Sequence, residues 1–334
     1  MGKSMQGITG KIVCKYLDKF PDTPSLTLAK KIYAENKEQF SNVDHARKIV
    51  RDYRGKSGSR MRKEMAIKKY YKEDDGKTNP FDFIPESHID HAQVWKLPKQ
   101  YKKVLLISDI HIPYHDIDSI KSCLKYAKKE GVDCVYINGD LLDFFQVSFH
   151  EKDAKKRPTL ADELEMGRKF LKGLRDFMGC AIYYKPANHE HRLERYLRVK
   201  APELLDVEEF RLDVLLRLGE LKINYVGRRD KCYFGGLLVE HGDRIKGNGG
   251  VNPAQTLYRR YKRHAICGHF HKKTEFTAKV YDGNSIVTYS VGSLCELEPE
   301  YFEVNEHVHG FAIINMEGEE FRVQNFTIEK GKVY

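Results

Sequence analysis

Apolar residues recur at helical spacing through the first fifty positions and then change period. Ile8, Ile12, Tyr16, Leu17 and Phe20 form one such face, which the breaker PDTPS ends. Leu28, Ile32 and Tyr33 mark a second face, ending near Asn36. Ser41 stands three residues before Asp44 in a capping pattern, and Val43, Ala46, Ile49, Val50 and Tyr53 follow at helical spacing. The pattern predicts three short helices in a small all-helical domain over 1–70. Within it, RGKSGSRMRK (54–63) reads as a flexible basic arm. Residues 71–100, with KEDDGKTNP, FIPESH and KLPK, read as a linker.

From residue 101 the apolar runs KVLLIS, VDCVYI and AIYYK alternate with helix-length segments at 116–130 and 160–178. That alternation predicts parallel strands joined by crossover helices. Beyond residue 219 the runs LKINYV, KCYFGGLLVEH, HAICGH, SIVTYSVG, GFAIINME and EEFRVQNFTIE are short and strand-like, with one helix near 253–262. The expectation for 101–334 is an α/β domain whose second half supplies mainly β structure, as a second sheet packed on the first.

Composition narrows the class. A chain with 41% hydrophobic and 32% charged residues fits a globular protein rather than a disordered one. No run approaches the roughly 20 apolar residues needed to span a bilayer, and the N-terminus lacks the apolar core of a secretory signal. A cytoplasmic protein with no membrane role is the default expectation. The seven cysteines are scattered singly, which suits buried free thiols. The formal net charge is +10, unevenly placed. Residues 1–80 carry 19 Lys and Arg against 10 Asp and Glu, whereas the remainder of the chain nets only +1. A localised basic segment commonly faces a polyanion. Arg47, Lys48, Arg51, Arg54, Lys56, Arg60, Arg62 and Lys63 are the candidates to meet nucleic-acid phosphates. Gly55-Lys56-Ser57 is not a nucleotide-binding P-loop, because Val50 stands where that motif needs its first Gly.

Chemistry-bearing residues follow five of the strand-like runs. KVLLIS leads to Asp109 and His111, VDCVYI to Asp140, AIYYK to Asn188, His189 and Glu190, GLLVE to His241, and HAIC to His269 and His271. Ligands in open α/β sheets gather beyond the carboxyl ends of strands, and carboxylates and imidazoles suit first-row divalent metals. A single Asp-x-His or His-x-His is ordinarily a loop feature, and His307-x-His309 is read as one, in a strand or surface role. Five ordered blocks are a different matter.

The blocks D-I-H (109–111), G-D-L-L-D (139–143), N-H-E (188–190), His241-Gly and G-H-F-H (268–271) resemble the calcineurin-like metallophosphoesterases, in that family's order. The resemblance implies a double β-sheet sandwich flanked by helices and two divalent metal ions, drawn from Mn, Fe, Zn, Ni or Mg, with Mn the choice for supporting activity. It implies that Asp109, His111 and His271 hold one ion, Asn188, His241 and His269 the other, and that Asp140 bridges them. His189 would be the general acid for the leaving oxygen, with Asp143 and Glu190 orienting imidazoles or the Asn188-His189 pair. The attacking hydroxide would be held by the metals, in a dinuclear phosphoesterase acting on a phosphate-ester substrate. One departure is Ala187, where the family usually has Gly; a small backbone adjustment is expected there.

Flanking residues Tyr114, His115, Arg192 and Arg244 are candidates to touch a phosphate, and His191 competes with His189 as the acid. The segment Lys246–Gly250 reads as a mobile loop near His241. The motifs leave open whether the substrate is a nucleic acid, another diester, a small monoester or a phosphoprotein. The basic N-terminal module, loosely similar to phage-type helix-turn-helix units, favours nucleic acid. The competing reading is a nucleic-acid-binding protein that keeps the phosphoesterase fold as a scaffold. Oligomeric state is not legible.

Overall fold

Three amphipathic helices open the chain because each carries just enough apolar surface to cover the other two. In the computed structural model, which describes residues 7–56, 67, 70, 84–85, 91–150, 158–245, 251–298 and 305–334, they are α1 (Ile8–Lys19), α2 (Ser25–Glu35) and α3 (Val43–Tyr53). Val13, Leu17, Leu28, Ala29, Ile32, Phe40, Ala46, Val50 and Tyr53 form their shared core. Two details differ from the sequence reading. The residue capping α3 is Asn42, whose side chain accepts the His45 N–H at 2.7 Å; Ser41 contacts the His45 ring instead. Arg54 is buried and structural, donating to the carbonyls of Pro21 and Thr23 at 2.8 Å each and to Ser25 Oγ at 3.1 Å. It closes the α1–α2 turn rather than facing a phosphate. Lys48, Arg51 and Lys56 are exposed. Arg60, Arg62 and Lys63, with most of the predicted arm and linker, lie outside the described residues.

The chain divides into two compact units, residues 1–89 and 90–334. In the second, two sheets stack. One has the order β1-β6-β7-β8-β10-β9, from β1 (Val94–Lys96), β6 (Lys231–Phe234), β7 (Leu237–Val239), β8 (Ala265–Cys267), β9 (Thr274–Lys279) and β10 (Ser285–Ser290). The other has the order β13-β12-β11-β2-β3-β4-β5, from β2 (Lys103–Ile107), β3 (Cys134–Asn138), β4 (Ala181–Lys185), β5 (Asn224–Tyr225), β11 (His309–Glu317), β12 (Glu320–Glu329) and β13 (Lys332–Val333). β2 through β5 are parallel, and β11 returns antiparallel beside β2.

Strand alternation gives each central strand of that sheet two buried faces. Val104, Leu106, Cys134 and Tyr136 point into the inter-sheet core with Phe234, Leu237, Val239 and Ile266. Leu105, Ile107, Val135, Ile137, Ile182 and Tyr184 point the other way, against α4 (Ile117–Lys129), α5 (Leu160–Met178) and α6 (His191–Lys200). Each large apolar side chain so covered contributes about 1.5–3 kcal/mol. The sandwich begins earlier than residue 101, where the sequence puts it. β1 pairs parallel with β6, and Trp95 packs 5.2 Å from Tyr183 and 5.8 Å from Tyr136. Three residues flanked by polar chain are too short to show a period, so this edge strand reads as linker.

The loop after β3 is tied down by Glu163, on the first turn of α5, which accepts the Phe144 N–H. Burial, with Asp143 and Glu190 adding to it, pushes the Glu163 carboxyl up to about 8. An acid whose folded pKa is raised keeps its proton after the unfolded chain has released it. Stability therefore falls as pH rises from about 4.5 to about 8. Glu163→Gln removes that dependence, so its melting temperature relative to the unsubstituted protein should climb across this window. A constant difference from pH 5 to pH 9 would contradict it.

Candidate metal centre

Every predicted ligand stands just past the carboxyl end of a strand. β2 delivers Asp109 and His111, β3 Asp140, β4 Asn188, β7 His241 and β8 His269 and His271. Asp109 Oδ1 lies 3.3 Å from His271 Nε2 and 3.8 Å from both His111 Nε2 and His241 Nε2. Asp140 Oδ2 lies 3.1 Å from His241 Nε2 and 4.0 Å from His111 Nε2. His241 and His269 pack edge-on at 5.2 Å, and Asp140, His241 and His269 form one of the groups whose ligand atoms lie within 4.8 Å of one another. His111, Asp140 and His189 form another.

The backbone is bent to make this convergence. Asp109, His111, Asp140, His269 and His271 all have positive φ, between 51° and 68°. Such conformations are costly for non-glycine residues and persist where their surroundings over-determine them, typically at functional sites. Glu190 fixes the one at Asp140. Its carboxylate accepts the N–H groups of Ala187 (2.7 Å), Leu141 (2.7 Å), Asp140 (3.1 Å) and Leu142 (3.2 Å). Thus it ties the loop after β3 to the loop after β4, and of its two expected roles it takes the backbone leading to the Asn188-His189 pair rather than an imidazole. Ala187 is accommodated without positive φ, because its methyl faces Gly139, where an added Cβ would come within 2.4 Å of it.

The polar atoms fit bound cations. Asp109 Oδ1, His111 Nε2 and Asn188 Oδ1 are buried without a hydrogen-bond partner, a costly arrangement for a folded protein alone. His241 Nδ1 lies 2.7 Å from the Asn138 carbonyl and must donate to it, so Nε2, facing Asp140, is the nitrogen that can exchange its proton for a cation. Charges tell the same story. Burial works to lower His241, but Asp140 and Asp109 outweigh it and push the imidazole up to about 10. His271 rises to about 9 against burial, through Cys295 and Asp109. His269 falls to about 4 through burial and the neighbouring His241. Burial raises Asp140, yet the facing imidazoles hold it well below the carboxylate range. Protons on imidazoles balance the carboxylates here, and a divalent cation would replace those protons.

His189 sits at the edge of this cluster, its Nε2 3.8 Å from Asp140 Oδ2. Its Nδ1 lies 3.1 Å from both Asp143 Oδ2 and the Asp143 carbonyl, and Arg192 Nη2 donates toward its Nε2 at 3.1 Å. Since arginine only donates, Nε2 accepts and Nδ1–H is the donor to Asp143. Asp143 also faces His111 Nδ1 at 3.3 Å and Arg192 Nη1 at 3.1 Å. Burial raises its carboxyl, but His111 and His189 hold it well below its usual range. His191 points elsewhere, 3.7 Å from Glu194. Arg244 donates to the Arg228 carbonyl. Lys246–Gly250 lies outside the described residues.

Sequence reasoning set His307 and His309 aside, yet both back the site. The His307 ring lies 4.8 Å from that of His271. His309 Nε2 lies 2.9 Å from the Cys295 carbonyl, and Cys295 Sγ lies 3.7 Å from His271 Nδ1. The available signal was position: HVHG runs into the long strand that pairs beside β2, and His309 is that strand's first residue.

The calcineurin-like phosphoesterase family model matches residues 102–273. The gene 54 protein of Mycobacterium phage L5 is 27% identical over 248 residues, covering 69% of this chain and 95% of that protein. Its namesake in Mycobacterium phage D29 is 24% identical over the same shares. Among solved structures, vacuolar protein sorting 29 from Cryptosporidium parvum is similar at TM-score 0.38 and 14% identity, covering 70% of this chain and 95% of its own. A dimetal phosphatase from Danio rerio is similar at TM-score 0.36 and 12% identity, covering 67% and 96%. With over half its length matched by that model, the chain belongs to the calcineurin-like phosphoesterase family.

Proposed function

We propose that this metal-dependent phosphoesterase is a dinuclear enzyme that hydrolyses phosphodiesters, with nucleic acid as its substrate class. The observation that carries the catalytic part is the set of buried, unpartnered ligand atoms on Asp109, His111 and Asn188, converging with Asp140, His241, His269 and His271. Asp109, His111 and His271 would hold one cation, and Asn188, His241 and His269 the other, with Asp140 shared by both. Two divalent ions held there, manganese foremost, would lower the pKa of bound water and offset charge developing on the phosphoryl oxygens.

The chain's own residues do the rest. Asp143 fixes the His189 tautomer through Nδ1, so Nε2 faces the reacting centre. Arg192 holds that nitrogen in the resting arrangement. A phosphate oxygen draws the guanidinium away, and Nε2 is then free to take up a proton from solvent and pass it to the leaving oxygen. Asp143, shared among His111, His189 and Arg192, supports the positive charge on His189 at that moment.

Nucleic acid is favoured by charge. Almost all of the chain's excess of +10 lies in residues 1–80, and Lys48, Arg51 and Lys56 stand exposed at and just after α3. The test is hydrolysis by the Mn²⁺-reconstituted protein of bis-p-nitrophenyl phosphate, p-nitrophenyl phosphate, and single- and double-stranded DNA. Diester and DNA cleavage is the expected result. Turnover of the monoester alone makes the protein a phosphatase, and no hydrolysis with any divalent ion returns it to a scaffold.

A further inference from the structure

The two segments that leave the Asp143–His189 pair meet again on the surface. One runs from Phe144 through a single 3₁₀ turn, Phe145–Val147, to His150; the other is α6. Phe149 is 73% exposed, and the Arg195 guanidinium lies over its ring, 4.6 Å from the centroid. His150 tilts against Phe149 at 4.8 Å and stacks on Phe145 at 6.5 Å with the planes 10° apart. On α6, Tyr196 is also exposed. Arg192, at the proposed acid, and Arg195, at the aromatic surface, are three residues apart, roughly 4.5 Å along the helix axis. Arg192, Arg195, Arg198 and Lys200 face a single acid, Glu194, and that acid is engaged by Arg198 and lies against His191.

Phe149 belongs to none of the core clusters among the described residues, and what sets it apart from other exposed apolar side chains is the guanidinium over its ring beside the Asp143–His189 pair. We infer that Phe149 and Arg195 form a stacking platform for a nucleobase on the leaving-group side of the scissile phosphate, in a single-stranded nucleic acid. The inference rests on the phosphodiesterase reading of the metal centre. Three features argue for this occupant. Aromatic faces alternate with guanidinium groups, the combination that grips single strands by stacking and charge without reading sequence. The net positive α6 surface complements a phosphate backbone. The platform is continuous with Arg192 and His189, on the side where the proton for the leaving oxygen is held.

Binding to the full chain in EDTA, where no cleavage occurs, provides the test. The probes are fluorescein-labelled (dT)₄ and an abasic tetramer of the same charge. Phe149→Ala should weaken (dT)₄ binding about tenfold, leave the abasic tetramer unaffected, and be rescued by Phe149→Trp. Because Phe149 is exposed, folding should be little changed, which a melting curve checks. Ultraviolet cross-linking of 5-iodouracil-substituted (dT)₄ should map to Phe149. Equal (dT)₄ affinity in the Ala variant, equal loss with both probes, or cross-links confined to other segments overturns the platform. Since binding is read without catalysis, the platform can fail while diester turnover with Mn²⁺ stands, and the reverse.

Discussion

Asp140→Asn should lower Mn²⁺-dependent hydrolysis of bis-p-nitrophenyl phosphate by about 10³-fold or more, equivalent to about 4 kcal/mol of transition-state stabilisation. The substitution is nearly isosteric, so the loss isolates charge. Asp140 Oδ1 accepts the His189 N–H at 3.0 Å, a bond that an asparagine oxygen keeps, so the loop after β4 stays in place. Oδ2, facing His241 Nε2 at 3.1 Å, is where the negative charge between the two cation positions disappears. The apo protein should melt lower than the unsubstituted one at neutral pH, because the buried His241 imidazolium loses a carboxylate that balances it. The gain in melting temperature on adding Mn²⁺, which reports ligand binding to the folded state, should shrink markedly. Metal content by elemental analysis after gel filtration should fall in parallel. Unchanged turnover would remove Asp140 from the reaction.

The residues of the candidate centre were legible because a parallel sheet leaves a readable trace. Each buried strand is a short apolar run, and the loop after it is where a ligand must stand. KVLLIS, VDCVYI and AIYYK therefore announced both β2, β3 and β4 and the chemistry following them. The backbone cost was not legible. Nothing in Asp109-Ile-His111 says that both polar residues adopt positive φ, since that conformation is held by the Asp109, Ile110 and His111 N–H groups donating to the Gly139 and Asp140 carbonyls rather than by local preference. The groups behind the ligands were hidden for a related reason. Cys295, His307 and His309 reach the centre only because β11 pairs with β2, and that pairing joins positions some two hundred residues apart. At the other end of the chain, Arg54 was misread because charge was counted without burial; three hydrogen bonds to the α1–α2 turn take it out of the basic face.

His189→Gln should separate substrates by leaving group. With DNA, the departing sugar oxygen is a strongly basic alkoxide and needs a proton as the bond to phosphorus breaks. Loss of a positioned acid should cost about 10²–10⁴-fold there. With bis-p-nitrophenyl phosphate the departing phenolate is a stable anion, so the loss should be far smaller. Glutamine can still donate toward Asp143, which now holds Nδ1 at 3.1 Å, and the 189 N–H to Asp140 is retained. A general collapse of the centre would slow both substrates alike, as would a purely structural role for the imidazole. His191→Gln is the control, since that ring faces Glu194, and it should leave the ratio of the two rates unchanged. Equal loss on both substrates in the position-189 variant would take the acid role away from His189 and leave Arg192, 3.1 Å from its Nε2, as the positively charged group nearest the leaving oxygen.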